Sequence, residues 1–317
     1  MKKILALFLA AVMLIGMAAC SKNEKTGVTV NIGVLKGPTG MGAAWLMDQN
    51  EQGLSANSYN FTIAGAPDVL TGQLISGDMD MAALPTNAIS TLYNKTEGKI
   101  TVLGVNALGV LYVLENGDRI NSVADLEGKT ILASGQGSTA EYVLNYILEQ
   151  NGVSAEIFWA SEHSEAATLA LSGEYDIVML PEPFVTTVTT KNGPFRVALD
   201  LTREWEALGG GELTMGGIAV RTEFLEAHPD AVKAFVKEYA NSVAFTNAQP
   251  ADAAKLIAKY EIAAEEIAKN AIPRCNIVWL HGENYKAKLE NFLGVVYEAN
   301  PAGIGGKMPG DDFYQSY

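Results

Sequence analysis

Ser76-Gly77-Asp78-Met79-Asp80-Met81-Ala82-Ala83-Leu84-Pro85 is echoed by Ser172-Gly173-Glu174-Tyr175-Asp176-Ile177-Val178-Met179-Leu180-Pro181. Each copy follows an apolar helical run. Ser-Gly reads as a helix C-terminus, because glycine at the position after the last turn takes the left-handed backbone at little cost. The acidic residue and turn that follow lead through Asp80 or Asp176 into a short apolar run, which reads as a buried strand. Leu-Pro marks the top of that strand and the start of the next element. One such stretch is weak evidence. Two at this spacing predict two similar α/β halves, each presenting loops at the carboxyl ends of its strands, where open α/β sheets collect ligands. Within the repeat, Asp80 and Asp176 read as structural residues between turn and strand.

Working outward, each half opens alike. Val28 to Leu35 reads as a strand, Lys36-Gly37-Pro38-Thr39-Gly40-Met41-Gly42 as a glycine-rich loop, and Ala43 to about Asn50 as a helix. In the second half Thr130 to Ala133 reads as a strand, Ser134-Gly135-Gln136-Gly137-Ser138-Thr139 as the loop, and Ala140 to Gln150 as the helix. Loops of this kind bring backbone N–H groups to a ligand at a helix N-terminus. The first of them has the spacing of neither a P-loop nor a G-x-G-x-x-G fingerprint. Next come the strand Tyr59 to Ala64 with Gly65-Ala66-Pro67-Asp68, and Phe158-Trp159-Ala160 with Ser161 and Glu162. Beyond the two Leu-Pro ends stand Thr86 and Asn87 in one half and Glu182-Pro183-Phe184 in the other. Lys99 to Leu114 reads as one long strand-rich stretch bent at Asn106-Ala107-Leu108-Gly109. Thr202 to Gly211 reads as irregular, and Thr214 to Val220 as the strand that returns to the first half. Helices are expected from Pro229 to about Asn247, Ala251 to Tyr260, Ala263 to Ala271 and Tyr285 to Glu298. The Gly/Pro-rich segment Gly303 to Tyr317 is expected to pack over the surface.

The chain has 317 residues, of which 48% are hydrophobic and 18% charged, enough for two lobes with substantial cores. Its net charge of −14 argues against nucleic acid as a partner, since phosphate binding needs a basic face. Met1-Lys2-Lys3, the apolar run Ile4 to Met17, Ala18-Ala19 and Cys20 form a leader that resembles a bacterial lipoprotein signal. The leader spans 1–19, Cys20 is the expected lipidation site, and 20–27 is a polar tether. With Cys20 lipidated, Cys275 is the only other cysteine and reads as a buried apolar residue.

These features occur together with Asp125-Leu126-Glu127-Gly128-Lys129-Thr130-Ile131 and with the run from Gly217-Ile218-Ala219-Val220-Arg221-Thr222-Glu223-Phe224-Leu225 to Glu226-Ala227-His228-Pro229-Asp230-Ala231-Val232. In this the chain resembles the extracytoplasmic solute-binding proteins of ABC importers, in the nitrate/sulfonate/taurine-type branch that also holds binders of thiamine-pyrimidine precursors and riboflavin. The resemblance covers essentially all of the chain after the leader. It implies an α/β, two-lobed periplasmic-binding-protein type II fold with two hinge crossings, lobe I being 28–113 plus 219–317 and lobe II 114–218. It implies a small-molecule ligand, a membrane permease as partner, an anchored extracytoplasmic location, a monomer, no cofactor and no metal. Carried onto this sequence, its ligand contacts are Pro38, Thr39, Gly40, Met41, Gly65, Ala66, Thr86 and Asn87 from lobe I. From lobe II they are Gln136, Gly137, Ser138, Thr139, Ser161, Glu162 and Glu182, with Asn106 at the crossing.

The expected loops offer one cation, Lys36, whereas strongly anionic ligands usually meet arginine or lysine. Glu162 and Glu182 suit an amine or a ring N–H. The expected ligand is therefore a small heterocyclic vitamin precursor or an amine. The alternative is a sulfonate, nitrate or taurine-type anion. A pyrimidine-synthase-like enzyme shares the implied fold but relies on clustered cysteines and a histidine. Here His163, His228 and His281 are scattered and cysteines do not cluster.

Overall fold

The computed structural model of the chain describes residues 25–190 and 195–317. The leader at 1–19, Cys20 and most of the expected tether lie outside the described residues. The chain opens with β1 (Thr29–Leu35), α1 (Pro38–Glu51), β2 (Ser58–Ala64), α2 (Pro67–Ser76), β3 (Met81–Pro85), α3 (Thr86–Lys95) and β4 (Ile100–Ala107). After β5 (Leu111–Asn116) the unit recurs as β6 (Thr130–Ser134), α4 (Thr139–Gln150), β7 (Glu156–Ala160), α5 (His163–Ser172), β8 (Ile177–Pro181) and α6 (Phe184–Thr190), followed by β9 (Phe195–Asp200) and α7 (Leu201–Ala207). β10 (Gly216–Arg221), α8 (Thr222–Ala227), α9 (Pro229–Ala248), α10 (Pro250–Lys259), α11 (Glu265–Ala271), β11 (Ile277–His281) and α12 (Lys286–Ala299) complete the molecule.

The strands form two sheets, ordered β11-β4-β10-β3-β1-β2 and β7-β6-β8-β5-β9. In each, a central strand (β1 or β6) pairs in parallel on both sides. The strand of the repeated stretch (β3 or β8) then meets an antiparallel strand (β10 or β5) on its far flank. The two halves are thus the same βαβαβ unit closed by a crossing strand. The chain passes to the second sheet between Ala107 and Leu111 and is back in the first at Gly216. β5 therefore belongs wholly to the second sheet and β10 wholly to the first, a few residues from the lobe boundaries expected at 113/114 and 218/219.

The repeated stretch behaves as its residues dictate. α2 and α5 end at Ser76 and Ser172, and Gly77 (φ 89°) and Gly173 (φ 82°) take the left-handed backbone that lets the chain turn. Asp80 accepts hydrogen bonds from the Asn31 backbone at 2.8 Å and side chain at 3.1 Å, so it ties its turn to β1. Asp176 accepts from Asn116 Nδ2 at 3.3 Å and ties its turn to β5. The strands beyond are buried, except at Pro85, as strands covered by helices on both faces must be.

One apolar cluster runs through both halves, from Leu84 and Val102 in the first sheet to Leu111, Ile131 and Met179 in the second. α12 extends it: Phe292 packs on Trp205, which also meets Tyr146, at ring separations of 5.6 and 4.9 Å. Each side chain of this size that is fully buried contributes roughly 1.5–3 kcal/mol. Separate clusters cover the outer face of each sheet.

Several local expectations change. The first glycine-rich loop shortens to Lys36 and Gly37, because Pro38 starts α1 and its fixed φ suits a first turn. Thr39, Gly40 and Met41 are therefore helical. A side chain on Gly40 would come within 2.5 Å of the Leu35 carbonyl, so the glycine serves the packing of α1 on β1. The stretch 99–114 is two strands in different sheets. Most of α7 falls in the stretch 202–211 that was expected to be irregular; it is capped by Asp200 Oδ1 accepting from the Thr202 N–H at 3.0 Å and anchored by buried Trp205. The segment after Gly303 is more than a surface covering. Ile304 and Phe313 are fully buried, and the Gln315 N–H donates to Val102 O at 3.0 Å, because this Gly/Pro-rich run carries large apolar side chains of its own. β11 was not anticipated; it is a short edge strand with an irregular register against β4. Among the described residues no helix is long and apolar enough to cross a membrane.

Candidate functional site: an interlobe cleft

A cavity of about 760 Å³ lies between the two halves. It collects the carboxyl ends of strands from both sheets: Leu35 from β1, Leu84 and Pro85 from β3, Ala107 from β4, Ala160 from β7 and Pro181 from β8. The first turns of α1 to α6 surround it, through residues such as Pro38, Pro67, Ala88, Thr139, His163 and Phe184. This follows from the repeated βα order. Each parallel strand delivers its helix N-terminus, with unpaired N–H groups, to the same edge of its sheet. The walls are largely apolar, with Val110, Leu111, Trp159, Phe184 and Met215 prominent.

Of the residues expected at the site, Pro38, Thr39, Gly65, Ala66, Gln136, Gly137, Ser138, Thr139, Ser161, Glu162 and Glu182 line this cavity. The second glycine-rich loop is built as a cradle. Gly135 (φ 91°) and Gly137 (φ 76°) take positive backbone angles, and Ser138 Oγ accepts from the Ala140 N–H to cap α4. Glu162 reaches across from the second half until its carboxylate lies 3.3 Å from where a side chain on Gly65 would begin.

The other expected residues lie behind the walls. Gly40 and Met41 face the core, with Met41 Sδ 3.7 Å from the buried Cys275 Sγ. Thr86 and Asn87, expected to meet ligand where a helix opens, stand in the first turn of α3, which Pro85 caps. Thr86 Oγ1 donates to Thr214 O at 2.6 Å. Asn87 Nδ2 donates to Gly137 O in the opposite half and to Gly303 O, both at 3.2 Å. Asn106 lies under the cavity floor. Its Nδ2 donates to Tyr239 OH at 3.0 Å, and its Oδ1, buried without a partner among the described residues, is 2.9 Å from where a side chain on Gly216 would begin.

Glu182 lines the cavity, but its carboxylate is already engaged. Oε1 accepts from Arg274 Nε at 2.7 Å, and Oε2 accepts from Thr186 N–H at 3.0 Å and Thr186 Oγ1 at 2.8 Å. Arg274 Nη2 also donates to Thr186 Oγ1 at 2.8 Å. Thus Glu182, fully buried, is neutralised by an arginine from the other half of the molecule. The premise that it offers a free acceptor to an amine is corrected by this pairing. No motif surrounds Arg274, and only the fold brings it here from 92 residues away.

His163, passed over as one of three scattered histidines, also lines the cavity. Its Nδ1 is 2.7 Å from Ser134 Oγ, and its ring lies 5.5 Å from that of Phe184. Burial pushes its pKa down to about 4, so the ring is neutral at neutral pH. Its place just after Ser161 and Glu162, at the end of β7, was the signal that could have found it. Among the described residues no cluster of three or more His, Cys, Asp or Glu is arranged to hold a metal ion.

Known structures share this architecture. An ABC transporter protein from Parabacteroides distasonis is 21% identical over 91% of this chain and 99% of its own, with a TM-score of 0.76. The alkanesulfonate-binding protein SsuA from Xanthomonas axonopodis pv. citri, bound to MOPS, is 17% identical over 89% of this chain and 95% of its own (TM-score 0.69). The periplasmic nitrate-binding protein NrtA from Synechocystis PCC 6803 is 13% identical over 89% of this chain and 85% of its own (TM-score 0.63). At such identities the likeness establishes the two-lobed periplasmic-binding-protein fold. No curated protein matches the chain by sequence. A family model does match, over residues 48–291, which takes in most of both lobes and the cleft lining beyond its first loop, and the chain therefore belongs to the family described as menaquinone biosynthesis.

Proposed function

We propose that this protein is the solute-binding component of an ABC import system, held outside the cytoplasmic membrane by lipid on Cys20. It captures a small planar molecule between its lobes and hands it to a membrane permease. The observation that carries this reading is the cavity of about 760 Å³ walled from both halves at the carboxyl ends of their strands. Its size and apolar walls suit a ring-bearing organic molecule better than nitrate, which would leave most of the space unfilled. Trp159 and Phe184 offer faces for a ring, and Thr39, Gln136, Ser138 and Thr139 offer polar groups to orient it. Two of the described neighbours are binding proteins for alkanesulfonate and nitrate, which supports capture and delivery as the mode of action.

The test is mass spectrometry of small molecules that co-purify with the protein, followed by calorimetry with those found and with a panel of heterocyclic precursors, aromatic acids, amines and sulfonates. A stoichiometric ligand is expected. No bound molecule and no heat with any member of the panel overturns the reading. The family's description favours a second reading, in which the cleft chemically converts such a molecule. Recovery of the bound molecule unchanged after prolonged incubation supports delivery, and recovery of a product supports conversion.

A further inference from the structure

We infer that Ser134 locks the neutral ring of His163 with its proton on Nε2, and that this N–H donor reads an acceptor oxygen, carbonyl, carboxylate or sulfonate, on the molecule held in the cleft. The ligand half of this statement rests on the cleft-binding reading above; the tautomer half does not.

Ser134 closes β6 and is completely buried. Its hydroxyl lies 2.7 Å from His163 Nδ1 and has no other partner among the described residues. A buried hydroxyl proton needs an acceptor, and Nδ1 is the one in reach. If Nδ1 carried the ring's proton, two hydrogens would compete for one contact and the hydroxyl hydrogen would be stranded in the core. The satisfied arrangement has Ser134 donating to a bare Nδ1. Burial holds the ring neutral near pH 7, so its single proton must then be on Nε2.

Nε2 has no protein partner among the described residues, and the ring that carries it lines the cavity. Phe184 on one side and Gly135 on the other hold the ring in place; a side chain on Gly135 would lie 3.4 Å from Cε1. The nearest carboxylate in sequence, Glu162, is turned to Ser164 and to Gly65, and that of Glu182 is closed by Arg274 and Thr186. The cleft therefore presents a fixed neutral donor beside the N-terminus of α4. An ammonium group finds no acceptor in that donor, whereas an oxygen does. The opposite tautomer would make Nε2 an acceptor and reverse the preference.

The chain holds three histidines, so the ring nitrogens can be read directly by long-range ¹H–¹⁵N correlation on ¹⁵N-labelled protein near neutral pH. The ring missing from the His163→Gln spectrum should show a protonated Nε2 and a bare Nδ1. Ser134→Ala should move those two shifts toward the averaged values of exchanging tautomers, which also identifies the ring if His163→Gln does not fold. A protonated Nδ1 or an averaged pattern in the unaltered protein, or no response to Ser134→Ala, overturns the lock. Benzoate, added as a probe, should shift the Nε2 resonance while benzylamine leaves it in place. A response to benzylamine instead overturns the acceptor preference. If the tautomer is as stated and neither probe moves it, the ligand half fails while the lock stands. Failure of the cleft-binding reading is recognised separately, by the absence of any co-purifying molecule or binding heat.

Discussion

The two copies of the repeated stretch fold alike and end differently. α2 and α5 both stop at a serine, both glycines turn left-handed, and β3 and β8 occupy the same place in their sheets. Past Leu-Pro the resemblance ends. In the first half Thr86 and Asn87 are absorbed into α3 and hold the segment before β10 and the opposite loop through neutral hydrogen bonds. In the second half Glu182 is buried and its carboxylate is paired with Arg274. The same backbone unit thus supplies one lobe with a neutral fastening and the other with an ionic one. The difference teaches that a residue at the mouth of a βα loop can serve the joint between lobes as readily as the ligand.

Breaking the ionic fastening should have the larger effect. Arg274→Ala leaves the buried Glu182 carboxylate with Thr186 alone. A loss of about 2–3 kcal/mol in denaturant-induced unfolding is expected, below the extreme for buried pairs because Arg274 is half-exposed. The pair exchange Glu182→Gln with Arg274→Met should recover much of it. Asn87→Ala, its counterpart in the first half, should cost about 1 kcal/mol, since neutral bonds of 3.2 Å are lost. Equal losses would erase the distinction between the two fastenings.

The comparison sharpens with pH. α2 begins at Pro67, which cannot titrate, and α5 begins at His163, whose pKa falls from 6.5 to about 4 on burial. The folded state binds fewer protons than the unfolded chain between those values, so stability falls as pH drops from about 6.5 toward 4. The ring borders an open cleft, so we expect about 1–2 kcal/mol of the roughly 3 that the full shift would represent. Urea melts across this range should show the slope, and His163→Gln should remove its share. An identical pH profile in that variant would refute the assignment.

The smallest contrast lies inside the repeat. Asp80, nearly buried and bonded to the Asn31 backbone, should cost about 1–2 kcal/mol when changed to alanine. Asp176 is more than half exposed, and its replacement should stay within about 0.5 kcal/mol. A larger loss at Asp176 would mean that its turn carries more of the second sheet than its exposure indicates.

Much of the fold was legible before any coordinates, because βα units write themselves locally. Ser-Gly stops, buried strand runs and the glycine-rich loop at Ser134–Thr139 each report a backbone requirement met within a few residues. Most of the cleft lining was legible for the same reason, since loops at strand ends must gather there. One departure was also local in cause: Pro38 drew the following residues into a helix, which removed Gly40 and Met41 from the first loop.

By itself the sequence determined the two-lobed repeat, where the cleft opens and which loops reach it. Tertiary structure alone decided how the charges and protons there are disposed. Arg274 cancels Glu182, Ser134 orients His163, and α12 joins the lobes through Trp205. Secondary structure follows from neighbours along the chain, whereas a buried charge or proton takes its state from whichever distant group the fold brings within hydrogen-bonding reach.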